Sequence, residues 1–472
     1  VSVLDVGTGK TLVSLDVGGQ DGTFIPASNL KLLTSGAALL ALGKGFEYET
    51  QLIHDPARGR IIVKGAGDPA LADPYLLDKM HIGVDAFVDK LVESVKAAGV
   101  TGVREVVVDD SVFDREHVHP DWPADQLSRA YCAPVSGANF HANVLNVYVS
   151  PGSGPNAEPG TKTEPGGPWI TLRKAARTVK EGSTEVWLER EGGAADPFVF
   201  KLHGTVKGAI TQPVQVTVSE PALMLGRVLA DRLAKAGVGE SVTARLVSPG
   251  ESLYGAPATA EAPGGGVLPA GAPRGGPAAT QRVVAAVKTP LGVVLERCNV
   301  DSENLYAESL LKLAAHAVTG QPGSWAGGTA VVRMQVRDRL GAELASKLTL
   351  SDGSGLSRGN RVTPEIMTRW LKVMSDSDAG DEFVRSLPVA GQEGTLRKRF
   401  RGARLKNEIR AKSGYIREVR TLSGYVTSAS GRRVAFSVLV NNVPSGADAR
   451  AKEFHEDVVE AVDAWLAGEG RE

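Results

Sequence analysis

Two stretches of this chain share one design. DAFVDKLVESVKAAGVTGVREVVVDD (85–110) and PALMLGRVLADRLAKAGVGESVTARLV (221–247) each read as an amphipathic helix, a corner and a strand. The corner is Ala98-Gly99-Val100 in the first and Ala236-Gly237-Val238 in the second. An amphipathic helix must bury its apolar stripe against another element. The duplication therefore predicts two halves of one α/β domain. Between them, over roughly 150–218, the chain is broken by Gly and Pro. EVWLER, PFVFKLHG and PVQVTVSE read there as short strands, a small β-rich excursion.

The flanking segments have other patterns. SVLDV and TLVSLDV form a hairpin across Gly7-Thr8-Gly9-Lys10. IPASNLKLLTSGAALLALGKG then reads as a nearly all-apolar helix, with Pro26 at its first turn and Gly43 closing it. Its few polar residues need a reason to be there. After residue 290 the pattern turns helical, with LGVVLERCNVDSENLYAESLLKLAAHAV and stretches near 329–346 and 364–376. From about 404, IRAKSGYI, VRTLSGYVTSAS and RRVAFSVLVNN alternate like an antiparallel meander, and an amphipathic helix follows.

Composition excludes several classes. The 53 Lys+Arg against 54 Asp+Glu leave a net charge of −1, which argues against nucleic-acid binding as the main function. No run of 18 apolar residues occurs, so no membrane span is expected. The chain opens on VSVLDVGTGK, without a basic-then-apolar leader, so any export signal is expected to have been removed. Two cysteines, Cys132 and Cys298, exclude a disulfide framework and a cysteine-based zinc cluster. Over 255–277, Gly, Pro and Ala fill 18 of 23 positions, the composition of a loose linker.

Three motif-like patterns fail on chemistry. Gly9-Lys10-Thr11 lacks the Gly five residues before Gly9, where Leu4 stands, so it is a turn and not a phosphate loop. Gly65-Ala66-Gly67-Asp68-Pro69-Ala70 mimics a dinucleotide fingerprint, but Asp68 would face the pyrophosphate and Pro69 removes an N–H. Glu116, His117 and His119 lie close in sequence, yet spacing places no third ligand for a metal.

One constellation holds together. Ser28 and Lys31 are three apart at the start of the apolar helix and share a face. A serine hydroxyl is a weak nucleophile that needs a base. A lysine can be that base when burial lowers its pKa. Alone, an S-x-x-K pair arises about once or twice by chance in such a chain; Ser309 and Lys312 form another, read as a helix surface pair. Ser302-Glu303-Asn304 precedes a helix and on its own reads as an N-cap. Lys412-Ser413-Gly414 ends a strand and supplies a fixed cation, a hydroxyl and an open strand edge. The three in this order match the serine β-lactamase and penicillin-binding signature set.

The chain resembles the low-molecular-mass class C penicillin-binding proteins, the D-alanyl-D-alanine carboxypeptidase/endopeptidase family. Besides PASNLKL (26–32), the resemblance rests on GAGDPAL (65–71), YCAPVSGANFHAN (131–143), DSENLYAE (301–308), DGSGLSRGN (352–360), LPVAGQEGTLRKRF (387–400), AKSGYI (411–416) and SGYV (423–426). The 274 residues from Ser28 to Ser302 fit that family's habit of inserting domains between its first two motifs. The resemblance implies an α/β multidomain fold: a penicillin-binding/β-lactamase-like domain, with its antiparallel sheet flanked by helices, an inserted α/β domain and a nested β-rich domain. The expected boundaries are 1–62 with 288–472 for the first, 63–149 with 217–287 for the second, and 150–216 for the third.

It also implies a function: acyl transfer through an ester on Ser28, with peptidoglycan stem peptides as substrate and β-lactams as covalent inhibitors. Lys31 is the implied base. Ser302, tuned by Lys412, is the implied proton donor to the leaving amine. Asn304 would bind the substrate amide, and Lys412 and Ser413 the terminal carboxylate. Gly414 and Tyr415 line the strand edge, the Ser28 and Tyr415 N–H groups forming the oxyanion hole. Arg358 is a candidate for an acidic side-chain group, with a structural ion pair as the equal alternative. No cofactor or metal, no nucleic acid and no membrane span are implied, and a periplasmic or extracytoplasmic location follows from the substrate. The chain departs from the family in having Ser413 and Tyr415 where threonines are usual, which bears on substrate preference. A β-lactamase or esterase on the same core, separated by penicillin turnover, is one alternative. A non-catalytic peptidoglycan-binding or β-lactam-sensing protein, separated by D-alanine release, is the other.

Overall fold

Strands β1 (Ser2–Asp5) and β2 (Thr11–Ser14) pair antiparallel across the predicted turn. A computed structural model of the chain describes all residues except 17–21, 194, 255–279, 403 and 470–472; the linker expected at 255–277 lies outside the described residues. A 3-10 turn (Ala27–Asn29) leads into α1 (Leu30–Leu42), which stops at Gly43 in a positive-φ conformation. Helix α1 is buried from Leu30 through Leu39, including Thr34 and Ser35. Their hydroxyls are satisfied: Thr34 donates to the Gly353 carbonyl at 2.7 Å and Ser35 bonds Asn299. Gly36 lets a neighbouring helix approach, since a Cβ there would lie 2.7 Å from Trp370 Nε1.

The chain divides into two compact units. One comprises Val1–Phe46, His119–Asp121 and Pro290–Glu472; the other comprises Glu47–Val118 and Trp122–Thr289.

The second unit contains β3 (Glu47–Asp55), β4 (Arg60–Lys64), α2 (Pro74–Lys79), α3 (Val84–Ala97), β5 (Glu105–Asp109), β6 (Val144–Ser150) and β7 (Gly160–Glu164). It continues with β8 (Thr171–Lys174), β9 (Arg177–Thr178), β10 (Glu185–Arg190), β11 (Val199–Val206), β12 (Val214–Thr217), α4 (Pro221–Lys235), β13 (Thr243–Leu246) and β14 (Arg282–Pro290). The repeat is visible here. Helices α3 and α4 are followed by β5 and β13, which pair parallel side by side in a sheet of order β13-β5-β4-β3-β14. Val88, Val92 and Val95 of α3 join Leu225, Val228 and Leu229 of α4 over Val106 and Val108. The boundary expected at 62 falls inside β4. Strands β3 and β4 form a hairpin whose register sets Leu52 opposite Val63, and β4 then pairs with β5. An apolar strand does not carry its partner's identity in its own residues. In the β-rich stretch, β8 to β11 form a sheet and β12-β6-β7 another. Phe198, Phe200 and Leu202 join the same apolar core as the helices.

The first unit resumes with α5 (Leu291–Asn299), α6 (Asn304–Thr319), α7 (Trp325–Leu340), α8 (Ala342–Ser346), α9 (Pro364–Asp376) and α10 (Gly380–Arg385). Then come β15 (Glu408–Ile416), β16 (Val419–Thr427), β17 (Arg433–Val440) and α11 (Asp448–Glu469). The predicted meander closes on the N-terminal hairpin, in an antiparallel sheet of order β15-β16-β17-β1-β2. Val459, Val462 and Leu466 of α11 cover Ile409, Leu422, Val426 and Phe436. Helix α9 also packs on the sheet, where the Tyr425 hydroxyl donates to the Leu371 carbonyl at 2.6 Å. This is the antiparallel sheet flanked by helices that the resemblance implied. One reading is corrected: Ser309 and Lys312 are not a surface pair but fully buried in α6. The Lys312 ammonium lies 3.7 Å from the Trp325 ring centroid, an aromatic partner that sequence spacing did not reveal. No helix among the described residues is long and apolar enough to cross a membrane.

Candidate active site

The turn before α1 is strained. Ala27 has φ of 46°, a left-handed conformation that costs an L-residue energy. Its carbonyl packs against Gly355, where a Cβ would lie only 1.8 Å from Ala27 O. From Ile25 to Leu39, Ser28 alone is not fully buried. One turn on, Lys31 is buried, and its Nζ has three oxygen neighbours: Ser28 Oγ at 3.2 Å, Asn304 Oδ1 at 2.7 Å and the Ser354 carbonyl at 2.9 Å. Burial pulls the Lys31 pKa down, partly opposed by Cys298, Glu308, Asp352 and Glu303. An ammonium here donates to Ser28; a neutral amine in the same place accepts its proton.

Ser302 and Lys412 form the second pair. Lys412 is buried on β15 and donates from Nζ to Ser302 Oγ at 2.8 Å and to the Ser413 carbonyl at 2.9 Å. Its burial, and then the charge of Lys31, hold its pKa well below the ordinary lysine value. Two lysines thus share one desolvated site. The N-cap reading of Ser302 gives way. Glu303 occupies the N-cap position of α6, while Ser302 has φ of 66° and turns its hydroxyl to Lys412. Arg297 braces this turn through Asp301 at 2.7 Å.

The strand bearing Lys412 lies against the turn bearing Ser28. A Cβ on Gly414 would sit 2.2 Å from Thr421 Oγ1, 2.9 Å from Pro26 O and 3.0 Å from Ser28 N. Only glycine permits that approach. Between Ser28 and Lys31, Asn29 is buried, donates to the Lys412 carbonyl at 2.7 Å and accepts from Ser423 Oγ at 2.6 Å. Sequence reasoning passed over Asn29; a buried amide inside an apolar helix start was the available signal. Two lysine-to-serine hydrogen bonds, two strained residues and one glycine contact thus place Ser28, Lys31, Ser302, Asn304, Lys412 and Gly414 in one constellation.

A family model for the D-Ala-D-Ala carboxypeptidase 3 (S13) family matches residues 1–256 and 264–465. The chain belongs to that family. It is 31% identical over 468 residues to a D-alanyl-D-alanine carboxypeptidase of Actinomadura sp. (strain R39), covering 94% of this chain and 78% of the relative. Its fold is similar to the crystal structure of penicillin binding protein 4 from Haemophilus influenzae, with TM-score 0.71, 21% identity, and coverage of 97% of this chain and 95% of that one. The same Haemophilus protein is also known in complex with a β-lactam.

The remaining residues that the family resemblance singled out are Ser413, Tyr415 and Arg358. Ser413 is half-buried on β15. Tyr415 is 65% exposed, with the Arg420 guanidinium 3.7 Å from its ring centroid. Arg358 donates to the Arg417 carbonyl at 2.7 Å and lies 3.6 Å from Glu418, a pairing in line with the structural alternative. Of the histidines considered for metal, His119 uses Nε2 toward the Ser351 carbonyl and accepts the Asp121 N–H at Nδ1. Among the described residues no cluster of His, Cys, Asp and Glu could hold a metal ion. Cys132 and Cys298 are free and buried. Gly65 and Gly67 serve packing: a Cβ on Gly65 would lie 2.4 Å from Gly137 O, and the Gly67 N–H donates to that carbonyl.

Proposed function

We propose that the chain is a serine-type D-Ala-D-Ala carboxypeptidase/endopeptidase acting on peptidoglycan stem peptides, and that β-lactams acylate it at Ser28. The observation that carries the reading is the partly exposed Ser28 hydroxyl 3.2 Å from the amine of buried Lys31. Family membership supports the substrate class.

In this reading neutral Lys31 takes the Ser28 proton as Oγ attacks the carbonyl of the penultimate D-alanine. The Ser28 N–H, held beside Gly414, and that of Tyr415 receive the developing oxyanion. As the C–N bond breaks, a proton passes from Ser302 to the leaving amine. Ser302 regains one from Lys412, which shares its hydrogen bond. Asn304 aligns the substrate amide, and Lys412 with Ser413 faces the terminal carboxylate. Water then adds to the ester carbon, giving a proton through Ser302 to the neutral Lys412, while the Lys31 ammonium returns its proton to the departing Ser28 Oγ. A β-lactam forms the same ester, but its amine stays tethered and obstructs water. Arg358 and Tyr415 are the proposed contacts at the margin of the substrate. The substrate places the enzyme outside the cytoplasmic membrane.

The test is a pair of assays on the wild type and Ser28→Ala. The wild type is expected to release D-alanine from muropeptides and to bind one equivalent of fluorescent penicillin. Ser28→Ala is expected to do neither while melting at the wild-type temperature. Stoichiometric labelling of Ser28→Ala overturns the assignment.

A further inference from the structure

Below Lys31 lies a second, unassigned piece of machinery. Glu308 is fully buried on α6, the helix that also carries Asn304. Three donors meet its carboxylate: Trp325 Nε1 at 2.9 Å and the Gly353 N–H at 2.8 Å on Oε2, and the Ser354 N–H at 2.8 Å on Oε1. The Ser354 carbonyl is the one that accepts from Lys31 Nζ. The Gly353 carbonyl, in turn, accepts from Thr34 one turn along α1. Glu308 therefore holds the N–H of Ser354, and the carbonyl of that same residue, in the next peptide plane, holds the lysine amine.

The loop around it is built to stay in place. Asp352 is buried and accepts from the Gly355 N–H at 2.9 Å, the Ser357 N–H at 2.7 Å and Asn360 Nδ2 at 2.8 Å. Gly353 fits against α6, since a Cβ there would lie 3.0 Å from both Ala307 O and Glu308 Oε2. Gly355 fits against Ala27 O. Segment 352–355 is thus clamped between α6 and the turn that carries Ser28.

We infer that Glu308 is a positioning residue for Lys31, acting through the Gly353–Ser354 backbone to aim the amine at Ser28. This rests on the functional reading above, in which Lys31 is the base. A buried carboxylate this close also acts through its charge. The titratable and charged groups facing Lys31 are Cys298 from α5, Glu303 and Glu308 from the start of α6, Asp352 from the clamped loop, and Lys412 from β15. Lys312 lies one turn beyond Glu308 on α6. Burial, and then Asp352, push the Glu308 carboxyl up to about 7, so its charge responds to the pH range in which a base must work. An anion beside an ammonium favours the protonated lysine. Removing it lets Lys31 lose its proton at lower pH.

The experiment follows the second-order rate of fluorescent penicillin acylation from pH 5 to 9 in the full chain. It compares the wild type, Glu308→Gln and Glu308→Asp, each with a thermal melt. Glu308→Gln removes the charge and turns one donor against another. Its rate is expected to fall about tenfold or more, with the acidic limb moving down by about half a pH unit or more. Glu308→Asp keeps the charge but shortens the reach, so its rate is expected to fall with the limb unmoved. If folded Glu308→Gln follows the wild-type rate and limb, the inference is overturned. The same holds if both variants lose rate only in proportion to lost folded protein. If the wild type is not labelled, or Ser28→Ala is, the functional reading itself fails, and the two failures are separate.

Discussion

The Asn29 side chain donates to the Lys412 carbonyl at 2.7 Å, joining the residue after Ser28 to the backbone of β15. Its oxygen accepts from Ser423 Oγ, which lies 2.8 Å from Ser437 Oγ. One short amide thus ties the turn that carries Ser28 to the strand that carries Lys412. Asn29→Ala removes a donor from the buried Lys412 carbonyl and leaves the Ser423 hydroxyl with Ser437 Oγ as its acceptor. The expected cost is about 2–3 kcal/mol of stability, read by denaturant unfolding. Penicillin acylation is expected to slow even in the folded fraction.

Gly355→Ala tests the strained turn. The added methyl would meet Ala27 O at 1.8 Å, at a residue whose φ of +84° already disfavours a side chain. Backbone on the far side cannot rotate away as a side chain could. A loss of about 3 kcal/mol or more is expected, with acylation reduced further because Ser28 follows Ala27. Wild-type stability in this variant would refute the packing argument.

His455 predicts an acid-side weakness. It is buried near Arg399 and Arg420. Burial, then the Arg399 charge, lowers its pKa to about 3. The unfolded chain takes this proton near pH 6.5. Between those values the unfolded state binds more protons, so stability falls as pH drops through the window. His455→Leu is expected to reduce the stability difference between pH 7 and pH 4.5 in urea melts.

Asp68 acts in the opposite direction. It is buried, accepting from Thr289 Oγ1 at 2.6 Å and the Ala70 N–H at 2.8 Å. Burial raises its pKa to about 6, although both hydrogen bonds favour the anion. The folded state then holds a proton that the unfolded chain releases near pH 4. Its contribution is present below pH 4 and is lost as pH rises toward 6. Asp68→Asn is expected to flatten that part of the stability profile.

Periodicity carried much of the fold into view. The helix-strand repeat predicted β5 and β13, which pair side by side, and alternation after residue 404 predicted the meander. The partner of β3–β4 was not legible, because strand pairing is a long-range choice. In the site, Ser28, Lys31, Ser302 and Lys412 were legible as members of three short motifs read together. The partners of Asn29 and Glu308 were not, because a buried polar residue finds them among its neighbours in space. Lys312 misled for the same reason: at helical spacing from Ser309 it reads as surface, and only the Trp325 ring shows otherwise.

The register that sets Ser2 opposite Ser437 has a consequence for synthesis. The ribosome delivers β1, Ser28 and α1 first, but the sheet partner of β1, β17, follows only after the residues from 47 to 289 and helices α5 to α10. Loop-closure entropy must be overcome before such a distant pairing is rewarded. The residues from 47 to 289 can meanwhile collapse on their own core. The nascent protein therefore carries Ser28 long before β15 and β17 exist, and the proposed nucleophile is armed only once those strands have been made.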